Sequence, residues 1–183
     1  MRIREAAYPI LVRFPGYLAG GTGGGYSRPS RFEFNRADYF RTGVWDDAVI
    51  FDSQGRVFTV DAIEFTRPGW WRYLLHYAGD FFIPNKRWWD EMVSVDMRLT
   101  QTRALDLPTL ARELSDVALA RSDWWLDRTS AEIEELFTGS STIADLIDKV
   151  GFLGPEHEEK PTGCSKKIVD LRELKAPAAP PPG

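Results

Sequence analysis

The strongest constraint on the fold is a β-hairpin pattern in the first half of the chain. Residues 44–51 and 56–65 alternate apolar and polar side chains, and they flank the turn Asp52-Ser53-Gln54-Gly55. Alternation with a period of two places every second side chain on one face of a strand. Gly55 supplies the positive φ that a loop of three to four residues requires. The pattern therefore predicts an antiparallel strand pair, and with it a sheet.

Three other segments are also predicted to be strands. Residues 8–14 (YPILVRF) form a short apolar run, residues 31–34 (RFEF) alternate, and residues 92–103 alternate over a greater length. Both patterns are typical of strands with at least one buried face. Residues 16–30 carry six glycines, and for that stretch we predict an irregular loop.

After residue 104 the apolar spacing changes to that of helices. Asp106 precedes a stripe of leucines and alanines, with Pro108 in the first turn where its missing N–H is tolerated. Thr129-Ser130-Ala131-Glu132 is a capping-box pattern that opens a second helix, which Gly139 ends. Ser141 or Thr142 can cap a third helix that ends at Gly151. Strands followed by helices predict an α+β fold: an antiparallel sheet with helices packed on one face, the helices mainly in the C-terminal half.

The chain is long enough for one domain, and we place its boundary where the composition changes. Residues 1–153 are predicted to form a single α+β domain that includes the Gly-rich loop at 16–30. Residues 154–183 are rich in Pro, Glu and Lys and end in a Pro/Ala run. They are predicted to be an extended, partly disordered tail in which residues 167–174 form one strand or a short helix.

Charge and cysteine content exclude several classes of function. Residues 104–159 hold 4 Lys/Arg against 13 Asp/Glu, and such an acidic segment repels nucleic acid phosphates. We therefore expect no nucleic acid partner, although the same charges would also suit ordinary solvated helix faces. No apolar run approaches the roughly 20 residues that span a membrane, and no signal peptide is recognisable. Cys164 is the only cysteine, which fits a cytoplasmic protein without disulfides or a zinc site.

Candidate catalytic residues are few and scattered. His76 and Cys164 lack a partner at a motif spacing, and the acidic pairs Asp46-Asp47 and Asp90-Glu91 would point to opposite faces of a strand. The Gly-rich loop lacks the Lys-Ser/Thr of a phosphate-binding loop. We expect no catalytic residue, no metal and no cofactor. An enzyme with an unrecognised site near His76 and its neighbouring acids remains an alternative.

Aromatic residues beside acids suggest a surface for protein binding. Three Trp-Trp pairs occur, and on either a helix or a strand each pair tends to bury one indole and leave the other near the surface. Filling gaps between sheet and helices is the simpler role for any one pair. The pair near the middle of the acidic segment has the most acidic surroundings, and the predicted partner-binding residues are Trp124, Trp125, Asp123, Asp127, Glu132, Glu134 and Glu135. Aromatic anchors rimmed by negative charge suit a basic protein partner.

The order of these features resembles that of small bacterial immunity proteins, which accompany secreted polymorphic toxins. The resemblance rests on residues 50–58 (IFDSQGRVF), on Leu107-Pro108-Thr109-Leu110, on Asp123-Trp124-Trp125 and on residues 140–147 (SSTIADLI). It implies a non-enzymatic inhibitor that binds one cognate toxin, a basic domain, in the cytosol, and it transfers no functional residue. Besides the enzyme alternative, a structural or assembly component of a phage or secretion system is the other function considered.

Overall fold

A curled, mainly antiparallel sheet organises the chain. The computed structural model describes residues 1–69, 92–121, 129–154 and 163–174. The strands are β1 (Ile10–Arg13), β2 (Leu18–Gly20), β3 (Asn35–Arg36), β4 (Val49–Asp52), β5 (Arg56–Thr66), β6 (Met92–Ala104), β7 (Phe152–Leu153) and β8 (Ile168–Asp170). The α-helices are α1 (Ala37–Arg41), α2 (Leu107–Leu119), α3 (Ser130–Thr138), α4 (Ile143–Val150) and α5 (Leu171–Leu174).

The predicted hairpin lies at the centre of this sheet. β4 and β5 pair antiparallel across the turn, and Gly55 has a φ of +78°. The first arm is shorter than predicted, because residues 43–45 form a 3-10 turn that buries Trp45 completely. The strand order is β3-β6-β5-β4-β1-β2-β7, with every neighbouring pair antiparallel. β8 adds to β5 in parallel beside Ile63–Phe65.

Strand alternation produces a hydrophobic cluster on each face of the sheet. Leu11, Phe51 and Val57 face the three longer helices and pack with their apolar side chains. The opposite face carries an aromatic cluster that includes Phe14, Tyr26, Phe32, Phe40 and Trp45. The predicted α+β class is confirmed, with α2, α3 and α4 together on one face. The short α1 lies against the other face, through Phe40.

The helix boundaries follow their predicted caps. The Asp106 carboxylate accepts the Thr109 N–H at 3.0 Å, and the Thr142 hydroxyl accepts the Asp145 N–H at 3.1 Å. Thr129 and Glu132 form the complete capping box. Gly151 follows α4 with a φ of +55°. Side-chain oxygens thus satisfy backbone donors that have no partner within the helix.

The Gly-rich segment contains more structure than predicted, and one predicted strand is wrong. β2 lies within residues 16–30, where pairing with β1 and β7 overrides the low strand propensity of glycine. Residues 31–34 do not form a strand. Pro29–Phe32 is a 3-10 helix whose Phe32 is fully buried, and the chain becomes extended only at β3.

Residues 167–174, predicted to form one strand or a short helix, contain one of each. Part of the segment predicted as a tail, residues 163–174, packs on the main sheet as both the strand β8 and the helix α5. Residues 163–174 are therefore part of the folded structure. Residues 70–91 and the segment with Trp124 and Trp125 lie outside the described residues. Within the described ranges, no helix combines the length and apolarity needed to cross a membrane.

Candidate functional site

α3 presents an acidic side to solvent because its apolar side points inward. Ile133 and Phe137, four residues apart, occupy one face of the helix and are buried in the core. Glu132, Glu134 and Glu135 lie on the rest of the helix surface and are exposed. We call these three residues the acidic α3 surface. They are the described members of the predicted partner-binding set, and the helix brings them together.

The three carboxylates differ in how they are used. One Glu132 oxygen accepts the Thr129 N–H at 2.6 Å and the Thr129 hydroxyl at 2.9 Å, so this residue is fixed in the capping box. The side chains of Glu134 and Glu135 have no hydrogen bond or ion pair with any residue in the described part of the chain. Glu134 and Glu135 are therefore the two carboxylates available to an external cation.

An open groove of about 390 Å³ lies beside the acidic α3 surface. Its described lining comprises Glu132, Glu135, Leu136, Gly139 and Lys149. Glu132, Glu135 and Leu136 lie on one side of α3, and Gly139 directly follows the helix. Lys149 comes from the last turn of α4. The groove thus joins carboxylates to a half-buried leucine, which is a combination that accepts a side chain with an apolar stem and a charged end.

The single cation in the described part of the groove lining is already neutralised. Lys149 Nζ lies 3.0 Å from an Asp145 carboxylate oxygen and donates to the Gly139 carbonyl at 2.9 Å. Hydrogen bonding from the Ser141 N–H, followed by the effect of Lys149, lowers the pKa of Asp145. Asp145 therefore stays ionised and holds the lysine. The negative charge of Glu134 and Glu135 remains uncompensated within the described residues.

The sequence predicted part of this site and missed another part. Asp123, Trp124, Trp125 and Asp127 lie outside the described residues, so their place beside α3 stays a prediction. The contributions of Gly139 and Lys149 were not predicted. The only sequence signal was the spacing of four between Asp145 and Lys149, which indicates an ion pair on one helix.

The Gly-rich loop uses its backbone donors internally and does not form an anion cradle. The N–H groups of Gly21, Gly24, Gly25 and Tyr26 bond to carbonyls at Ile10, Gly20, Thr22 and Gly21, respectively. The Thr22 N–H bonds to the Asp148 carboxylate at 3.0 Å, and the Gly20 N–H bonds to the Gly151 carbonyl. The loop is therefore connected to the end of α4 by hydrogen bonds.

The other candidate residues are dispersed. His76 and Asp90-Glu91 lie outside the described residues. Cys164 is exposed, and Asp46 bonds to Ser165 while Asp47 is exposed to solvent. Among the described residues, no three His, Cys, Asp or Glu side chains lie close enough together to hold a metal ion.

Comparison with known proteins identifies no relative of this chain. The chain matches no protein-family model, no curated protein and no solved structure. The resemblance to immunity proteins consequently rests on the order of sequence features alone.

Proposed function

We propose that this protein is a non-enzymatic inhibitor that binds a basic protein partner through the acidic α3 surface. The observation that carries the proposal is the exposure of Glu134 and Glu135 without a cationic partner in the described structure. A partner with a basic domain, such as the toxin bound by an immunity protein, has the complementary charge. We place this interaction in the cytosol, in keeping with the single cysteine.

The charge balance around α3 supports a role in steering the partner. Residues 129–154 carry five carboxylates and one lysine, and that lysine is paired with Asp145. A surface with one dominant sign of charge accelerates the approach of an oppositely charged protein, and salt reduces the effect. The acidic α3 surface is therefore suited to fast, salt-dependent association.

The groove supports a more specific contact after the first encounter. A partner lysine or arginine can lay its aliphatic stem on Leu136 and place its charge near Glu135, since both line the same open depression. The aromatic anchor that a stable interface needs would come from Trp124 or Trp125, which precede α3 in the sequence. Steering by carboxylates and anchoring by tryptophan are separable contributions.

Reversing the two available charges should abolish selective capture of the partner. With the protein as bait in a lysate of its source cells, Glu134→Lys plus Glu135→Lys is expected to reduce recovery of the partner about tenfold or more. The reason is that attraction becomes repulsion at the contact surface. Quantitative mass spectrometry of the proteins retained by the parent and variant baits measures the change.

The matched control reverses two carboxylates elsewhere. Asp47 and Asp61 are exposed and lie outside the helical face, so Asp47→Lys plus Asp61→Lys changes the net charge equally. The control bait should retain the partner. If both reversed baits lose it to the same extent, net charge and not the acidic α3 surface is responsible. Melting curves of both baits should match the parent, since none of the four side chains is buried.

A further inference from the structure

The segment Gly163–Leu174, which we call the C-terminal strap, lies along the main body in the manner of a bound peptide. Its strand β8 pairs in parallel with β5, and the Ile63 N–H donates to the Lys167 carbonyl at 2.9 Å. At the start of the strap, Ser165 N–H donates to the Arg41 carbonyl at 2.7 Å. The Gly43 N–H donates to the Gly163 carbonyl at 3.1 Å. Main-chain bonds therefore fix the path of the strap.

Asp46 accepts hydrogen bonds from three consecutive strap residues. One carboxylate oxygen accepts the Ser165 hydroxyl at 2.5 Å, and the other accepts the Lys166 N–H at 3.2 Å. The Asp46 carbonyl accepts the Lys167 ammonium. The Asp46 carboxylate thus accepts the side-chain hydroxyl of Ser165 and the backbone N–H of the next residue, while the cation of Lys167 bonds to the Asp46 backbone carbonyl.

Polar contacts, more than apolar burial, hold the strap against the sheet. Among the strap side chains that the structure describes, Ser165 is buried. Ile168 is half-buried and packs against the aromatic cluster. An ion pair from Arg41 to Asp170, at 3.6 Å, adds a further surface contact. Elements with few buried apolar contacts are those that open at a lower free energy than the core.

Opening of the strap would leave the rest of the sheet intact. β5 is paired with β6 from Arg56 to Thr66, so Ile63–Phe65 remain hydrogen-bonded to β6 when β8 separates from β5. The freed edge would expose main-chain groups beside Asp46. Exposed strand edges of this kind bind extended peptides by adding a strand.

We propose that the edge of β5 at Ile63–Phe65, together with Asp46 and the Arg41 carbonyl, is a strand-binding site. Its ligand class is an extended peptide with a hydroxyl residue, a lysine two positions later and a β-branched residue after that lysine. The strap occupies this site in cis and exchanges with such a peptide. Strand addition supplies the main-chain bonds, the Asp46 carboxylate selects the hydroxyl residue, and the Asp46 carbonyl accepts the lysine ammonium.

The test adds a fluorescent peptide of residues 163–174 to the full-length protein. In the parent, the strap competes and binding should be weak. Ser165→Ala plus Lys167→Met in the protein removes two strap contacts to Asp46, and the labelled peptide should then bind at least tenfold more tightly by fluorescence anisotropy. Adding Asp46→Ala to that variant should reverse the gain, whereas adding Asp47→Ala, at an exposed neighbour, should not.

Hydrogen exchange shows whether the variant has opened locally. The Ile63 amide bonds to the strap, so its exchange should accelerate at least tenfold in the Ser165→Ala, Lys167→Met protein. Amides of β5 and β6 that bond to each other should remain unchanged. If the double variant melts globally, Lys167→Met alone replaces it. The proposal is overturned if Ile63 stays protected, if the opened variant fails to bind the peptide, or if binding does not depend on Asp46.

Discussion

Replacing Asp52 by alanine is expected to lower the free energy of unfolding by about 3–5 kcal/mol. Asp52 ends β4 and is completely buried. Its carboxylate accepts the Gln54 and Arg56 N–H groups at 3.0 Å each, the Ala7 N–H at 3.2 Å and the Arg56 Nε at 2.7 Å. Alanine would leave these donors unpaired and Arg56 without its counter-charge. Urea denaturation followed by tryptophan fluorescence measures the loss.

Asp47→Ala is the matched control for that substitution. Asp47 is exposed, and its loss should change stability by no more than about 0.5 kcal/mol. A similar small effect at Asp52 would contradict its role as the hub that holds the β4–β5 turn and the N-terminal segment together.

Replacing Gly55 by alanine is expected to destabilise the fold by about 3 kcal/mol, the sum of two costs. The residue has a φ of +78°, a conformation in which a side chain costs roughly 1–2 kcal/mol. An added Cβ would also lie 2.0 Å from the Leu105 carbonyl oxygen, and such overpacking costs roughly 1–3 kcal/mol. The clash involves backbone, which is held in place because the Leu105 N–H donates to the Gly55 carbonyl at 2.8 Å.

Gly16→Ala provides the comparison, since a Cβ there would meet no atom within 4 Å and its φ is not positive. Thermal melting of the two variants should show a clear decrease for Gly55→Ala and almost none for Gly16→Ala. Equal melting temperatures would mean that the turn is not constrained as the structure indicates.

Local signals explain which parts of the fold were predictable. The β4–β5 hairpin and the caps of α2, α3 and α4 each depend on residues within a few positions of one another, such as Asp52 with Gly55 or Thr129 with Glu132. Turn chemistry and capping bonds act over that range. The sequence therefore predicted these elements, although the first arm of the hairpin begins at Val49 and not at residue 44.

Pairing between distant segments explains the errors. β2 forms in a glycine-rich stretch because β1 and β7 lie on either side of it, and β8 forms because the edge of β5 is vacant beyond β4. The partners β7 and β5 lie far along the chain from β2 and β8, respectively, so a local sequence pattern does not reveal these pairings. Similarly, residues 31–34 alternate like a strand, but burial of Phe32 in the aromatic cluster is achieved by a 3-10 turn after Pro29.

The candidate site also combines features that the local sequence predicts with features that depend on tertiary contacts. The outward direction of Glu132, Glu134 and Glu135 follows from the helical spacing of Ile133 and Phe137, so it was predictable. The groove requires Lys149 from a second helix, and the strap site requires Asp46 to meet Ser165 across 119 positions of sequence. Contacts of that kind come from the tertiary fold and not from a local pattern.

The association rate of the captured partner, measured at two salt concentrations, tests the proposed function most directly. The parent protein is expected to associate fast at low salt and more slowly as salt rises. Glu134→Lys plus Glu135→Lys should associate slowly with a flat salt dependence, and Asp47→Lys plus Asp61→Lys should behave nearly as the parent. If the Glu134, Glu135 variant binds as fast and as tightly as the parent at both salt concentrations, the acidic α3 surface is not the interface.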